Sequence, residues 1–299
     1  MNKIVEKLGK FGIVEIDKTF KDLTTLKIGG KIKYLVYPEN VIALIQIIDI
    51  LKDNNIKYKV IGNGSNILCS DKDYDGCVIK LGRFINDCYI EDNLMIVEAG
   101  ASIIAAANKA MKSGLSGLEF ACGIPGTVGG CTFMNAGAYK RSISDILIEA
   151  FVLIDGECKW LKVKDLDYSY RNSIFHKHPD WIILAVKFHL TPGNSSEIFN
   201  VMQERKARRI KAQPLNYPSA GSTFRNHPKY PAWELIDKIG YRGKVIGGAK
   251  VSEKHVNFLI NNGEATYKDF ITLANDIQTK VKLEYGIDLL MEVEKFNCK

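Results

Sequence analysis

The chain has 299 residues, of which 46% are hydrophobic and 25% charged, the profile of a folded globular protein with room for two units and no default toward disorder. Its formal net charge of +7 is uneven: residues 204–254 carry twelve Lys or Arg against four Asp or Glu, so a local balance of +8 leaves −1 for everything else. Met1 to Lys10 alternates charged and apolar residues and Val41 to Leu51 is too short to span a bilayer, which argues against a signal peptide or membrane anchor and for a cytoplasmic protein with no membrane partner.

Cys69, Cys77, Cys88, Cys122, Cys131, Cys158 and Cys298 form an odd set without a CxxC pair, as expected of reduced, mostly buried thiols. The five histidines do not recur at ligand spacing with carboxylates or thiols, so no metal is expected.

In chain order, a polar segment at 23–30 ends in Gly29-Gly30 ahead of a strand over 33–38. Residues 41–52 are apolar on more than one side, which predicts a buried helix. A strand at 58–61 runs straight into Gly62-Asn63-Gly64-Ser65-Asn66, a junction of amides and short polar side chains suited to a phosphate. It is not the dinucleotide fingerprint, because Ile67 stands where a third glycine would. Strands follow at 77–81 and 94–99, and Ser102 is placed to cap a helix reaching Lys112.

The centre of the pattern is Gly123-Ile124-Pro125-Gly126-Thr127-Val128-Gly129-Gly130, continuing to Asn135-Ala136-Gly137-Ala138-Tyr139. Its glycines let backbone amides approach an anion closely and Pro125 stiffens the loop, although glycine content alone favours a tight connecting turn. Strands are expected at 146–154, 158–163 and 181–190, the last suited to a sheet interior. Thr191 to Ser196 combines turn residues with a helix cap and marks a domain boundary near 193.

A basic helix over 196–211 carries Arg205, Lys206, Arg208, Arg209 and Lys211, then stops at Gln213-Pro214. The run lacks interleaved aromatics, so a nucleic-acid partner is not expected. A second small-residue loop spans 217–226, a short helix 233–239 and a strand 256–260. Thr266 and Asp269 resemble a capping box ahead of a helix whose face is Phe270, Leu273, Ala274, Ile277 and Val281. A last strand over 287–296 would turn Glu292 away from Ile287, Leu289, Met291 and Val293.

Six segments in register carry a family resemblance: Gly62–Asn66, Gly123–Gly130, Asn135–Tyr139, Tyr170-Arg171-Asn172-Ser173, Pro218–Phe224 and Gly247–Phe258. Together they closely resemble the UDP-N-acetylenolpyruvoylglucosamine reductases of bacterial peptidoglycan precursor synthesis, over Thr24 to Val293. The resemblance implies an α+β protein: an FAD-binding domain of the vanillyl-alcohol-oxidase (PCMH) type over 1–193, in two lobes divided near 82, then a smaller α+β substrate-binding domain over 194–299.

It implies non-covalent FAD held by Gly62, Asn63, Gly64, Ser65, Asn66, Gly123, Ile124, Pro125, Gly126, Thr127, Gly130, Asn135, Ala136, Gly137 and Ala138. NADPH would be the co-substrate, passing a hydride to flavin N5 and from there to the enolpyruvyl group of UDP-N-acetylglucosamine enolpyruvate. Ser222 matches the proton donor, and Arg171 with Glu292 matches the pair that stabilises the enolate-like intermediate. Tyr170, Arg209, Asn226, Lys254 and His255 match substrate-contacting positions. The short stretch from Arg171 to Trp181 resembles the shorter of the family's two forms, without the inserted tyrosine lid, and the chain is expected to act as a monomer. Two other readings are a flavin-dependent sugar or lactone oxidase of the same superfold and a non-catalytic phospholigand-binding module.

Overall fold

The computed structural model describes residues 3–298 and divides them into two compact units. Among these residues the first takes 3–16, 34–63 and 76–208; the second takes 17–33, 64–75 and 209–298. The chain therefore crosses between units several times instead of at one linker, and helix Ser195–Ala212 runs through the last crossing.

In the first unit, Lys57–Ile61 lies parallel to Tyr74–Lys80, with Ile61 opposite Lys80, and Gly12–Glu15 lies antiparallel to Lys31–Pro38. Helix Val41–Asp53 connects Lys31–Pro38 to Lys57–Ile61, its N-terminus capped by Asn40, whose side chain accepts from Ala43 N. Leu44, Ile47 and Leu51 are fully buried along it, each stabilising the fold by about 1.5–3 kcal/mol relative to exposure. A second sheet is an antiparallel array in the order Glu157–Lys162, Leu147–Ile154, Ile182–His189, Leu94–Glu98, Cys88–Glu91. The apolar 182–189 strand sits at its centre, as its lack of alternation predicts. Helix Ile103–Lys112 packs there, with Ser102 accepting from Ala105 N at its start.

The second unit is built on helix Tyr267–Tyr285, capped at both ends. Thr266 and Asp269 form the expected capping box, and Gly286 closes the far end in the left-handed conformation at φ +67°. Its Phe270, Leu273, Ala274, Ile277 and Val281 are fully buried against a small sheet ordered Val245–Ile246, Ala249–Val251, Leu259–Asn261, and against helix Ala232–Lys238.

Three expectations change. The glycine run contains a helix, Val128–Phe133, because Thr127 caps it and the Ala99 and Ala101 carbonyls take the amides of Gly129 and Val128. The expected strand at 256–260 is regular only over Leu259–Asn261. The last strand is regular only over Glu294–Phe296, parallel to Ile67–Cys69, since upstream of it the backbone pairs with single residues of a loop instead of a continuous partner. None of the seven cysteines is joined in a disulfide: Cys69, Cys77 and Cys131 are buried, and the others are half-buried. Among the described residues no helix is long and apolar enough to cross a membrane.

Candidate active site

In the first unit the parallel strand pair delivers Gly62 against the glycine run. A Cβ on Gly62 would stand 2.4 Å from Thr127 Oγ1, so only glycine permits this approach. Asn63 Nδ2 donates to the Pro125 carbonyl at 3.3 Å, and Thr127, itself buried, accepts from Gly130 N. The 126–129 backbone is in turn fastened to 99–103 by the bonds Ile103 N to Gly126 O, Val128 N to Ala101 O and Gly129 N to Ala99 O. Two amide-rich segments thus meet as one rigid cradle.

Beside it opens a cavity of about 620 Å³, lined by Asn63 together with Tyr37, Lys80, Gly82, Arg83, Gly100, Ser102 and Lys109. Three of these are cations on apolar walls, a setting in which an anionic ligand is attracted strongly. Burial pushes the Lys80 ammonium below the ordinary lysine pKa, so a negative partner would restore favourable charge there. Arg83 lies 5.5 Å from the Tyr37 ring centre. Lys80, Arg83 and Lys109 escaped the sequence reading because they come from a strand end, a turn and a helix with no shared motif.

The Tyr168–Ser173 turn docks on the same segment. Ser169 and Asn172 exchange backbone bonds at 3.2 Å, leaving Tyr170 and Arg171 at the tip, with the Arg171 guanidinium 5.0 Å from the exposed Tyr170 ring. Arg171 Nη2 donates to Gly137 O at 2.8 Å and Nη1 to Asn135 O at 3.5 Å. A Cβ on Gly137 would lie 2.3 Å from Arg141 O, so glycine is required for the close pairing of Gly137–Ala138 with Arg141–Ser142. Beneath the turn, burial raises the Cys131 thiol to about 12 against the opposing pull of Arg171. Nearby, Arg205 stacks on Tyr139 at 4.7 Å and takes the tyrosine hydroxyl on its own carbonyl.

In the second unit the Ser222 loop pairs with the backbone at Glu292. Thr223, next to the half-buried Ser222, accepts from Glu292 N at 2.8 Å, and Phe224 bridges to Met291. Asn66, at the end of the first glycine segment, donates from Nδ2 to Glu292 O at 3.0 Å, and its carbonyl accepts from Glu294 N. The Ser222 loop is braced by Asn257, which is 3% exposed: its Oδ1 accepts from Phe224 N at 3.0 Å and its Nδ2 donates to Phe224 O at 2.9 Å. Asn257 lay inside a quoted motif, but nothing in its spacing announced a brace.

The remaining candidates of this unit are placed as follows. Asn226 Oδ1 accepts from Ala232 N, which starts the next helix. Lys254 Nζ donates to Ile210 O at 2.6 Å. His255 sits edge-on to Phe258 with Nδ1 buried and unpartnered among the described residues, and burial lowers its pKa. Arg209 is half-buried in the last turn of its helix. Of the twelve cations in 204–254, Lys238, Arg242, Lys244 and Lys250 hold carboxylates of their own unit at 2.6–2.9 Å, which shifts the excess toward 205–211.

Comparison with known proteins decides the family. Residues 213–296 match the C-terminal domain of UDP-N-acetylenolpyruvoylglucosamine reductase, and residues 32–162 match an FAD binding domain. The reductase of Anoxybacillus flavithermus is 41% identical over 98% of both chains, and that of Bacillus subtilis 40% identical over 98% of both. The crystal structure of the reductase from Thermus caldophilus superposes with a TM-score of 0.82 at 34% identity, covering 96% of this chain and all of that one.

The chain belongs to the UDP-N-acetylenolpyruvoylglucosamine reductase family. It carries the family's FAD-binding domain, and the reductase C-terminal domain over 213–296 removes the ground for the sugar or lactone oxidase reading. In family terms, the Gly62–Thr127 cradle lies within the stretch matched as FAD-binding, whereas Ser222, Asn257 and Glu292 all lie within the reductase domain.

Proposed function

We propose that this reductase holds FAD non-covalently in the Gly62–Thr127 cradle and reduces UDP-N-acetylglucosamine enolpyruvate to UDP-N-acetylmuramate at the expense of NADPH. The residues fit the cofactor: side-chain-free backbone faces the cradle at Gly62, and the adjoining cavity offers Lys80, Arg83 and Lys109 to a diphosphate. FAD bound there supplies the two-electron relay from NADPH to the enolpyruvyl group.

The chain's own residues act on the second half of the reaction. Hydride addition at the terminal carbon places negative charge on the carbon beside the carboxylate, and that carbon must then be protonated. Ser222 donates the proton from its hydroxyl, the carbanion-like centre being basic enough to take it. Arg171 meets the carboxylate with its planar fork, and Glu292 completes the polarising pair. Tyr170, Arg209, Asn226, Lys254 and His255 orient the nucleotide sugar. In Asn226 the amide Nδ2 takes this part, because Oδ1 already serves the helix start.

Functionally, 1–193 is the cofactor-binding portion and 194–299 the substrate-binding portion, laid over units that interleave in the chain. The enzyme works as a cytoplasmic monomer on small molecules, with neither membrane nor nucleic acid as partner. The observation that carries the residue assignment is the bond from Glu292 N to Thr223 O, which sets the Ser222 loop and Glu292 on one scaffold.

The test is anaerobic. NADPH should bleach the yellow protein, and the enolpyruvyl nucleotide should restore the colour; a bleached protein that stays bleached after substrate is added refutes the reading.

A further inference from the structure

We propose that Asn135 is a positioning residue that acts through Arg171: its side chain holds the Tyr168–Ser173 turn in place instead of contacting the cofactor. The inference rests on the reading of Arg171 as the group that meets the substrate carboxylate.

Asn135 is 5% exposed, and both ends of its amide are committed within the protein. Nδ2 donates to the Ser169 carbonyl at 2.9 Å, and Oδ1 accepts from Ser144 N at 3.1 Å. The amide therefore ties the base of the Arg171 turn to the segment that follows the hairpin Gly137–Ser142. The Asn135 backbone carbonyl faces Arg171 Nη1, so side chain and main chain of one residue hold both the turn and the guanidinium at its tip.

The local conformation explains why an asparagine stands here. Asn135 has φ +45° and Arg171 has φ +55°. Both lie in the left-handed region, which Asn tolerates better than other side chains and which Arg adopts only when its surroundings impose it. Two more bonds impose it: Tyr168 OH donates to Thr132 O at 3.1 Å, and the fully buried Ser173 donates from Oγ to Phe133 O at 2.6 Å. These carbonyls end the Val128–Phe133 helix, where Thr132 O also accepts from Asn135 N at 3.3 Å. The turn is thus fastened at both flanks and at its base. Removal of the amide would take the acceptor from the half-buried Ser144 N–H and one of two donors from the Ser169 carbonyl, which then keeps only Asn172 N; this relaxes the turn and displaces the guanidinium.

The test uses the FAD-loaded enzyme. Asn135→Gly keeps the backbone conformation while deleting the amide. Tyr168→Phe, a second and milder variant, releases one flank without altering Asn135. In stopped-flow measurements the ratio of reoxidation rate (by enolpyruvyl substrate) to reduction rate (by NADPH) should fall about 10–100-fold in Asn135→Gly and about threefold or more in Tyr168→Phe. Flavin release, followed by fluorescence, should stay within about threefold of wild type, as befits a residue that does not touch the cofactor. In an Arg171→Ala background the Asn135 change should cost less than about threefold further, since both losses then report one interaction.

Flavin release accelerated tenfold or more with an unaltered rate ratio, about the tenfold that one lost contact of 1.4 kcal/mol would give, would make Asn135 a cofactor contact and overturn the proposal. Losses that multiply in the double variant would overturn it equally. If Arg171→Ala alone leaves the ratio at its wild-type value, the Arg171 assignment is what fails; if Arg171→Ala is slow and Asn135→Gly is not, the positioning role fails and the assignment stands.

Discussion

The Tyr168–Ser173 turn of the first unit and the 217–226 loop of the second each carry a side chain proposed to act on the substrate, Arg171 and Ser222, on a segment braced by a buried asparagine, and they differ in what is held. At Arg171 the guanidinium itself is tethered, to the Gly137 and Asn135 carbonyls. At Ser222 the hydroxyl is carried by a fixed backbone, since Asn257 bonds both the N–H and the carbonyl of Phe224 and Leu259 N donates to Thr223 Oγ1. The difference fits the chemistry proposed for each. A long, flexible cation that must meet a carboxylate in two-bond geometry has to be aimed at its head, whereas a short serine has one torsion to its oxygen and is placed by its main chain.

That contrast can be broken by variants of decreasing effect. Ser222→Ala should slow reoxidation by about 10³-fold or more with little change in reduction by NADPH, in stopped-flow work. Equal slowing of both half-reactions would remove its role as proton donor. Arg171→Ala and Glu292→Gln should each cost about 10²-fold in reoxidation, and Arg171→Lys should fail to restore it because an ammonium lacks the fork.

Asn257→Ala should lower stability by about 1–3 kcal/mol in urea titration, because it leaves the Phe224 N–H and carbonyl buried and unpaired, and should slow reoxidation about tenfold. An unchanged urea midpoint would mean that Asn257 braces nothing.

Acid should act on the second unit through His255. Its pKa is lowered by burial, with Arg242 adding to the effect, so near and below about pH 6.5 the unfolded chain takes up a proton that the folded one resists. Stability contributed by this residue is therefore present above that range and declines as the pH falls through it. The loss of Tm between about pH 7.5 and pH 5.5 should be smaller in His255→Gln than in wild type.

The smallest effect concerns the thiol under the Arg171 turn. Cys131, held near pKa 12, should alkylate at a rate set by opening of the turn, well behind the half-buried Cys158, and faster in Tyr168→Phe than in wild type.

Local patterns were legible where local physics decides. The Val41–Asp53 helix, the Ser102 cap and the Thr266–Asp269 capping box follow from periodicity and short-range hydrogen bonds, and the motif order carried the family. The helix inside the glycine run was not, because Gly129 and Gly130 argue against helix by propensity and bonds from Ala99 and Ala101 override them. Nor were the bracing roles of Asn135 and Asn257, or the joining of Lys80, Arg83 and Lys109 around one cavity. Each depends on residues far apart in the chain, and an asparagine that holds a turn looks, in sequence, like one that contacts a ligand. The same limit explains the interleaved units: residues 64–75 pair with the C-terminal strand Glu294–Phe296, a contact with no local signature.

The most direct measurement is a crystal structure of the oxidised enzyme with FAD and the enolpyruvyl nucleotide bound. The account predicts Ser222 Oγ within about 3.5 Å of the carbon bearing the carboxylate, and the Arg171 fork on the carboxylate itself. A carboxylate bound elsewhere, with Arg171 on the diphosphate or Ser222 facing away from the enolpyruvyl group, would contradict it.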